Sequence, residues 1–193
     1  LLKKANIPFK VLGKGSNILC SDEDFHGVII RLDRTFNEYY YSENMVVAQA
    51  GVSLIALAYD AMKRGLSGLE WACGIPGTIG GAIFMNAGAY KSSMKDIVTE
   101  VLIYRDGDFV WMSNEECGFD YRKSVFQSHP DWLVVAVRMQ LQEGNMNEIR
   151  ELVDNRKARR METQPLEYPS AGSVFRNPEG SFAWKYIDEL GLR

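Results

Sequence analysis

Apolar and polar positions change period several times along this chain. Phe9-Lys10-Val11-Leu12, Val28-Ile29-Ile30-Arg31-Leu32 and residues 45–50 are short runs rich in β-branched or aromatic residues, and each predicts a strand. Ser53 then precedes Leu54, Leu57, Ala58, Ala61 and Met62, a helical spacing behind an N-cap residue, and Gly65 marks the stop. Residues 98–104 and 109–112 flank Arg105-Asp106-Gly107-Asp108, the signature of a hairpin. Ser113 and Glu116 stand at capping-box spacing. Residues 132–141 predict another strand. Residues 147–161 predict a helix with Ile149, Leu152, Val153 and Arg156 along one stripe. Residues 164–177, with two prolines, read as extended, and 181–191 as a short last helix ending at Gly191. Strands outnumber helices without regular βαβ alternation, so the fold class is α+β.

Composition narrows the function classes. Lys plus Arg number 22 against 25 Asp plus Glu, a net charge of 22 − 25 = −3, which argues against a nucleic-acid partner. A local pocket for a small anion survives that argument. Cys20, Cys73 and Cys117 are odd in number and widely spaced, which disfavours a disulfide framework and favours a reducing compartment. His26 and His129 have no partner at ligand spacing, so no metal site is expected. Residues 71–90 carry no charge, but Gly74, Pro76, Gly77, Gly80, Gly81, Asn86 and Gly88 would break a membrane helix; the stretch reads as buried, glycine-shaped backbone in a soluble protein.

Two loops carry candidate chemistry. Ile75-Pro76-Gly77-Thr78-Ile79-Gly80-Gly81 offers backbone N–H groups and a hydroxyl, a set that can cradle a phosphate without a cationic side chain. Gly13-Lys14-Gly15-Ser16-Asn17 offers the same earlier in the chain. Neither is a dinucleotide fingerprint or a P-loop. Each alone fits a tight turn in a packed core. Both together, with Asn86-Ala87-Gly88 behind them, point to a ligand bearing a diphosphate. Arg122, beside Tyr121, could clamp a carboxylate, or be an ordinary surface arginine. Ser173, among small residues and close to Asn177, lacks a neighbouring histidine or a nucleophile elbow. That disfavours hydrolysis and leaves a proton donor or a turn cap. Arg156, Lys157, Arg159 and Arg160 form a basic helix end that reads first as a solvated one.

Taken in order, these segments resemble one family. Residues 12–19 look like its first flavin loop. Residues 65–70, 74–82 and 85–90 resemble its second. Phe119-Asp120-Tyr121-Arg122-Lys123-Ser124-Val125-Phe126 and residues 168–178 resemble its catalytic segments. The family is UDP-N-acetylenolpyruvoylglucosamine reductase, of bacterial peptidoglycan synthesis and hence of cell-wall biogenesis, cell shape and division. The resemblance implies an FAD-binding fold of the type shared with related flavin oxidases, followed by the start of a smaller α/β substrate domain. It places FAD on Gly13, Gly15, Ser16, Asn17, Gly74, Ile75, Pro76, Gly77, Thr78, Gly80, Gly81, Asn86, Ala87 and Gly88. NADPH would reduce the flavin, and hydride would pass to the enolpyruvyl group of UDP-N-acetylglucosamine enolpyruvate. Ser173 matches the proton donor and Arg122 the arginine that stabilises the enolate. Tyr121 and Asn177 match substrate contacts, and Gln164, taken as substrate-binding too, falls where some members have a lysine near the substrate. The shorter subclass, without a tyrosine-bearing insertion before the serine segment, fits best.

The implied domains are a remnant of the first FAD lobe (1–18), a second FAD lobe (19–163) and the beginning of a substrate domain (164–193). The family's catalytic glutamate falls beyond Arg193, so this piece is expected to be inactive alone. A cytoplasmic monomer, away from membranes, is the implied setting. Two other readings stay open on the residues: another FAD oxidoreductase of the same fold, and a non-catalytic binding module for a diphosphate or UDP-sugar.

Overall fold

Five antiparallel strands form the frame on which the helices rest. In chain order the elements of this computed structural model are β1 (Phe9–Leu12), β2 (Val28–Arg31), β3 (Tyr39–Ser42), β4 (Met45–Gln49), α1 (Leu54–Lys63), β5 (Leu66–Ser67), α2 (Ile79–Phe84), β6 (Gly88–Ala89), β7 (Ser92–Ser93), β8 (Val98–Arg105), β9 (Asp108–Ser113), β10 (Leu133–Gln140), β11 (Gln142–Glu143), α3 (Met146–Thr163) and α4 (Ala183–Glu189). The structure describes residues 1–164, 167–168 and 172–192. The main sheet runs β3-β4-β10-β8-β9. β1 and β2 pair separately and in parallel, β5 pairs β11, and β6 pairs β7.

The sheet buries one face. Val46 and Ala48 of β4, Val101 and Ile103 of β8, and Val137 and Met139 of β10 all have 0% exposure. They meet Leu54, Leu57 and Ala61 of α1 and Ile79 and Ile83 of α2 in a single core. Two irregularities between β10 and β8 keep these residues inward: Val135 and Thr99 are each one residue extra against the partner strand. Each bulge shifts the alternation by one residue. The displaced groups are reused. The Val135 carbonyl accepts from Ala50 N–H at 2.8 Å, and Thr99 Oγ1 donates to the Arg138 carbonyl at 3.1 Å. On the other face, Arg138 pairs with Glu100 and lies 4.5 Å from the centre of the Trp111 ring.

Local expectations and structure agree where the signal was local. Ser53 caps α1, accepting from Ala56 N–H, and Gly65 follows the helix at φ 70°. Asp106 and Gly107 make the two-residue turn of the β8–β9 hairpin. Ser113 and Glu116 exchange both capping-box bonds, at 2.7 and 3.3 Å, yet they close a turn and no α-helix follows. β3 was not in the pattern. Three consecutive tyrosines show no alternation, and its turn to β4 is Glu43-Asn44 rather than a glycine pair, with Glu43 at φ 55°.

The chain divides into two units, Leu1–Glu162 and Thr163–Arg193. The second holds α4, shorter than the expected 181–191. Leu192 N–H donates to the Ile187 carbonyl and Gly191 N–H to that of Asp188, a Schellman ending with Gly191 at φ 65°. None of the described residues from Gln164 onward is buried. No helix among the described residues is long and apolar enough to cross a membrane.

Gly80 is where α2 meets the end of β4. A Cβ there would lie 2.9 Å from Ala50 Cβ and 3.2 Å from its carbonyl oxygen. Gly80→Ala gains helix propensity but overpacks against backbone, and should lower the unfolding free energy by about 1–3 kcal/mol in urea titrations. Stability equal to the parent's would contradict this close approach.

Candidate functional site

Two helix starts are held side by side. Ser53 and Thr78, the N-cap residues of α1 and α2, face each other across an antiparallel bridge. Leu54 N–H donates to the Gly77 carbonyl at 3.2 Å, and Ile79 N–H to the Val52 carbonyl at 2.9 Å. Gly80 N–H donates to the Ala50 carbonyl at 2.8 Å. Thr78 Oγ1 takes Gly81 N–H at 3.3 Å. The donors of Ile79, Gly80 and Gly81 are therefore spent within the protein. Gly77 and Thr78 N–H have no partner among the described residues.

The first glycine loop closes over this bridge. Ser16 Oγ donates to the Pro76 carbonyl at 2.6 Å. Gly13 packs against Thr78 so closely that a Cβ would sit 2.5 Å from Thr78 Oγ1. Lys14 Nζ donates to Ser53 Oγ at 2.9 Å. An ammonium at a helix N-terminus adds positive charge to a positive end. The group of charges there is short of an anion.

A second polar cluster lies at the far end of α2, one six-residue helix or about 9 Å away along its axis. Buried Asn86, at φ 40°, gives Nδ2–H to the Asp120 carbonyl at 2.8 Å and accepts Lys95 N–H at 3.0 Å. Ser124 Oγ and Gln127 Nε2 both donate to the Phe84 carbonyl, at 2.7 and 3.1 Å. Asp120 and Lys123 bridge a tight turn that holds Tyr121 and Arg122. Tyr121 is exposed, and Arg122 adopts φ 55°, a left-handed backbone that costs a non-glycine residue about 1 kcal/mol. Arg122 Nη2 donates to the Gly88 carbonyl at 2.7 Å. Asn86, Gly88 and Arg122 are thus brought together, as are Gly13, Ser16, Pro76, Gly77 and Thr78.

The basic end of α3 divides in two. Arg156 and Arg160 continue the buried stripe of Ile149 and Val153 and turn inward. Arg156 lies 4.6 Å from the centre of the Tyr90 ring, and Arg160 Nη1 donates to the Gly74 carbonyl. Lys157 and Arg159 are exposed. Expecting all four in solvent missed this, although Arg156 already fell on the apolar stripe. Sequence reading also missed Lys14, Ser124 and Gln127 as site-building residues, because their partners lie 39 to 43 positions away.

Of the remaining candidates, Gly15 sits at φ 73° and Asn17, Gly74 and Gly81 are exposed, while Ile75 and Ala87 are half-buried against the core. In the second unit Gln164, Ser173 and Asn177 are exposed, and Asn177 Oδ1 accepts Ala183 N–H at 3.1 Å at the start of α4. Part of the expected extended and serine-bearing segment, Pro165, Leu166, Pro169, Ser170 and Ala171, lies outside the described residues. Among the described residues no cluster of His, Cys, Asp or Glu could hold a metal ion.

Comparison with known proteins gives consistent relatives. A family profile described as "FAD binding domain" matches residues 1–113, and one described as "UDP-N-acetylenolpyruvoylglucosamine reductase, C-terminal domain" matches residues 164–193. Proteins named UDP-N-acetylenolpyruvoylglucosamine reductase from Anoxybacillus flavithermus and Clostridioides difficile are 42% and 45% identical over all of this chain. The chain spans 64% of the length of each. The crystal structure of UDP-N-acetylenolpyruvylglucosamine reductase from Thermus caldophilus superposes with a TM-score of 0.86 at 38% identity, covering 100% of this chain and 70% of that one. Cholesterol oxidase from Brevibacterium sterolicum, at TM-score 0.50 and 14% identity over 74% of this chain and 31% of its own, shares the fold.

Thiol chemistry offers a check on the packing around the site. Burial pushes the Cys73 thiol up to about 11, Glu70 adding to the rise and Arg156 opposing it. Burial, with Glu116 beside it, pushes Cys117 up to about 12. At pH 8 their thiolate fractions are about one in a thousand and one in ten thousand. A disulfide reagent at pH 8 should label exposed Cys20 quickly and the other two only on unfolding. Rapid labelling of two or three thiols in the native protein would contradict this packing.

Proposed function

The chain belongs to the UDP-N-acetylenolpyruvoylglucosamine reductase family, and from that membership we propose that it forms the FAD-holding part of an NADPH-driven reductase. The enzyme converts UDP-N-acetylglucosamine enolpyruvate to UDP-N-acetylmuramate for peptidoglycan synthesis. The observation that carries this reading is the bridge between Ser53 and Thr78, with Lys14 and the first glycine loop packed on it. Two helix starts, two unpaired N–H groups and an ammonium converge there without a counter-charge, which suits a dinucleotide's diphosphate. The residues present fit FAD. Gly77 leaves room for its approach, the Gly77 and Thr78 N–H groups and Lys14 supply donors, and Gly13 and Ser16 hold the first loop against them. Gly15, Asn17, Gly74, Ile75, Pro76, Gly80 and Gly81 shape the same two loops. Asn86, Ala87 and Gly88 shape the far end of α2. When bound, FAD supplies the hydride taken from NADPH.

The protein's own residues do the rest. Arg122, fixed on the Gly88 carbonyl, stabilises negative charge on the substrate's carboxylate and enolate. Ser173 donates the proton that completes reduction of the enolpyruvyl double bond. Tyr121, Gln164 and Asn177 bind the substrate. The setting is a monomer in the cytoplasm, without nucleic-acid or membrane partners.

The purified intact protein should show flavin absorbance bands, or acquire them on reconstitution with FAD; a protein that binds no flavin by either route sinks the proposal. In the intact enzyme, Ser173→Ala should leave flavin reduction by NADPH within about twofold of the parent and slow flavin reoxidation by the enolpyruvyl substrate by about 10²–10⁴-fold. Normal reoxidation would remove Ser173 from the mechanism.

A further inference from the structure

The structure assigns Arg156, on α3, a positioning role: its stack on Tyr90 fixes the β6–β7 hairpin whose Gly88 carbonyl anchors Arg122. This rests on the role proposed for Arg122 above.

The hairpin carries strain that its own bonds do not explain. Tyr90 and Lys91, its two turn residues, sit at φ 54° and 66°. A two-residue hairpin turn of this hand favours glycine or asparagine, which bear positive φ at least cost. Two larger residues persist there only where the surroundings impose the conformation. Asn86 and the Met94 N–H bond to the Ala87 carbonyl, at 2.9 Å, hold the base of the hairpin. At the tip, the Arg156 guanidinium lies 4.6 Å from the centre of the Tyr90 ring.

The grip comes from a rigid element. Arg156 is half-buried, three residues beyond Val153 on α3, and Ile149 and Val153 dock that helix on Met62, with Tyr59 and Cys73 alongside. Arg160, one turn further, holds the Gly74 carbonyl. The same helix face thus grips Gly74, at the start of the second glycine loop, and Tyr90 of the hairpin after α2. From Tyr90 the link to the reacting groups is short. Gly88 precedes it by two residues and accepts Arg122 Nη2–H at 2.7 Å. Arg122 itself sits in a left-handed turn, and this bond is one of the contacts that set the place of its guanidinium. A freed hairpin tip would let the Gly88 carbonyl shift, and a catalytic cation displaced by a fraction of an ångström loses much of its effect.

Arg156→Met keeps the aliphatic stem and removes the cation, Arg156→Lys retains a cation, and Tyr90→Leu removes the ring from the other side. All are made in the intact holoenzyme, and each half-reaction is followed by stopped-flow flavin absorbance. Flavin content and the rate of reduction by NADPH should stay within about twofold for Arg156→Met. Reoxidation by saturating enolpyruvyl substrate should slow by about five- to tenfold, with a smaller change in KM. Arg156→Lys should recover most of the rate, and Tyr90→Leu should reproduce the loss even where an α3 variant folds poorly. In an Arg122→Lys background, Arg156→Met should add almost nothing. Reoxidation at the parent rate in Arg156→Met and Tyr90→Leu overturns the inference. So does equal slowing with and without Arg122. A parent enzyme that reduces no enolpyruvyl substrate fails the functional reading instead, and that control separates the two.

Discussion

The rest of the site depends on a short piece of backbone pairing, in which residues 50–54 run against residues 77–80. Three hydrogen bonds tie the end of β4 to the start of α2, and they place Ser53 and Thr78 opposite each other. Each bond is worth only about 1 kcal/mol net. Their consequence is larger, because they fix two helix N-termini and the loops before them in one place. Gly80 permits this approach because a side chain would strike Ala50. Gly13 permits the second layer, where the first loop lies on Thr78. An ammonium beside a helix N-terminus opposes the protein's own stability. Stability lost in this way at a binding site is recovered when an anion arrives.

α2 joins this electropositive end to the Arg122 turn. It is a short strut packed on β4 and β10, so the two clusters cannot drift apart without disturbing the core. An elongated dinucleotide, with its central diphosphate at the first station, suits such a pair of fixed stations. Four of the seven described non-glycine residues with positive φ, Asn86, Tyr90, Lys91 and Arg122, lie at the second station. Backbone strain of this kind is expected where a site has been shaped for chemistry rather than for stability.

Much of this was legible in the sequence, and the legible part was local. Ser53 announced α1, Asp106-Gly107 announced the β8–β9 hairpin, and Gly191 ended α4. The motifs around Gly13, Gly77, Arg122 and Ser173 pointed to the family that the relatives confirm. What was not legible depends on partners distant in the chain. The bulges at Val135 and Thr99 follow from matching two faces across strands, not from either strand alone. The use of Gly80 N–H by Ala50, rather than by a ligand, follows from the 50–54 pairing. The inward turn of Arg156 and Arg160 follows from where α3 docks.

If two helix starts, Lys14 and the Gly77 and Thr78 N–H groups form a diphosphate site, affinity should depend on the phosphates more than on the isoalloxazine ring. Calorimetric titration of the intact apoprotein with FAD and with riboflavin tests this most directly. FAD should bind at least about a hundredfold more tightly, as loss of charge-assisted hydrogen bonds of about 1.5–3 kcal/mol each requires. That ratio should narrow as salt is raised. Riboflavin binding as tightly as FAD, at any salt concentration, would contradict the account.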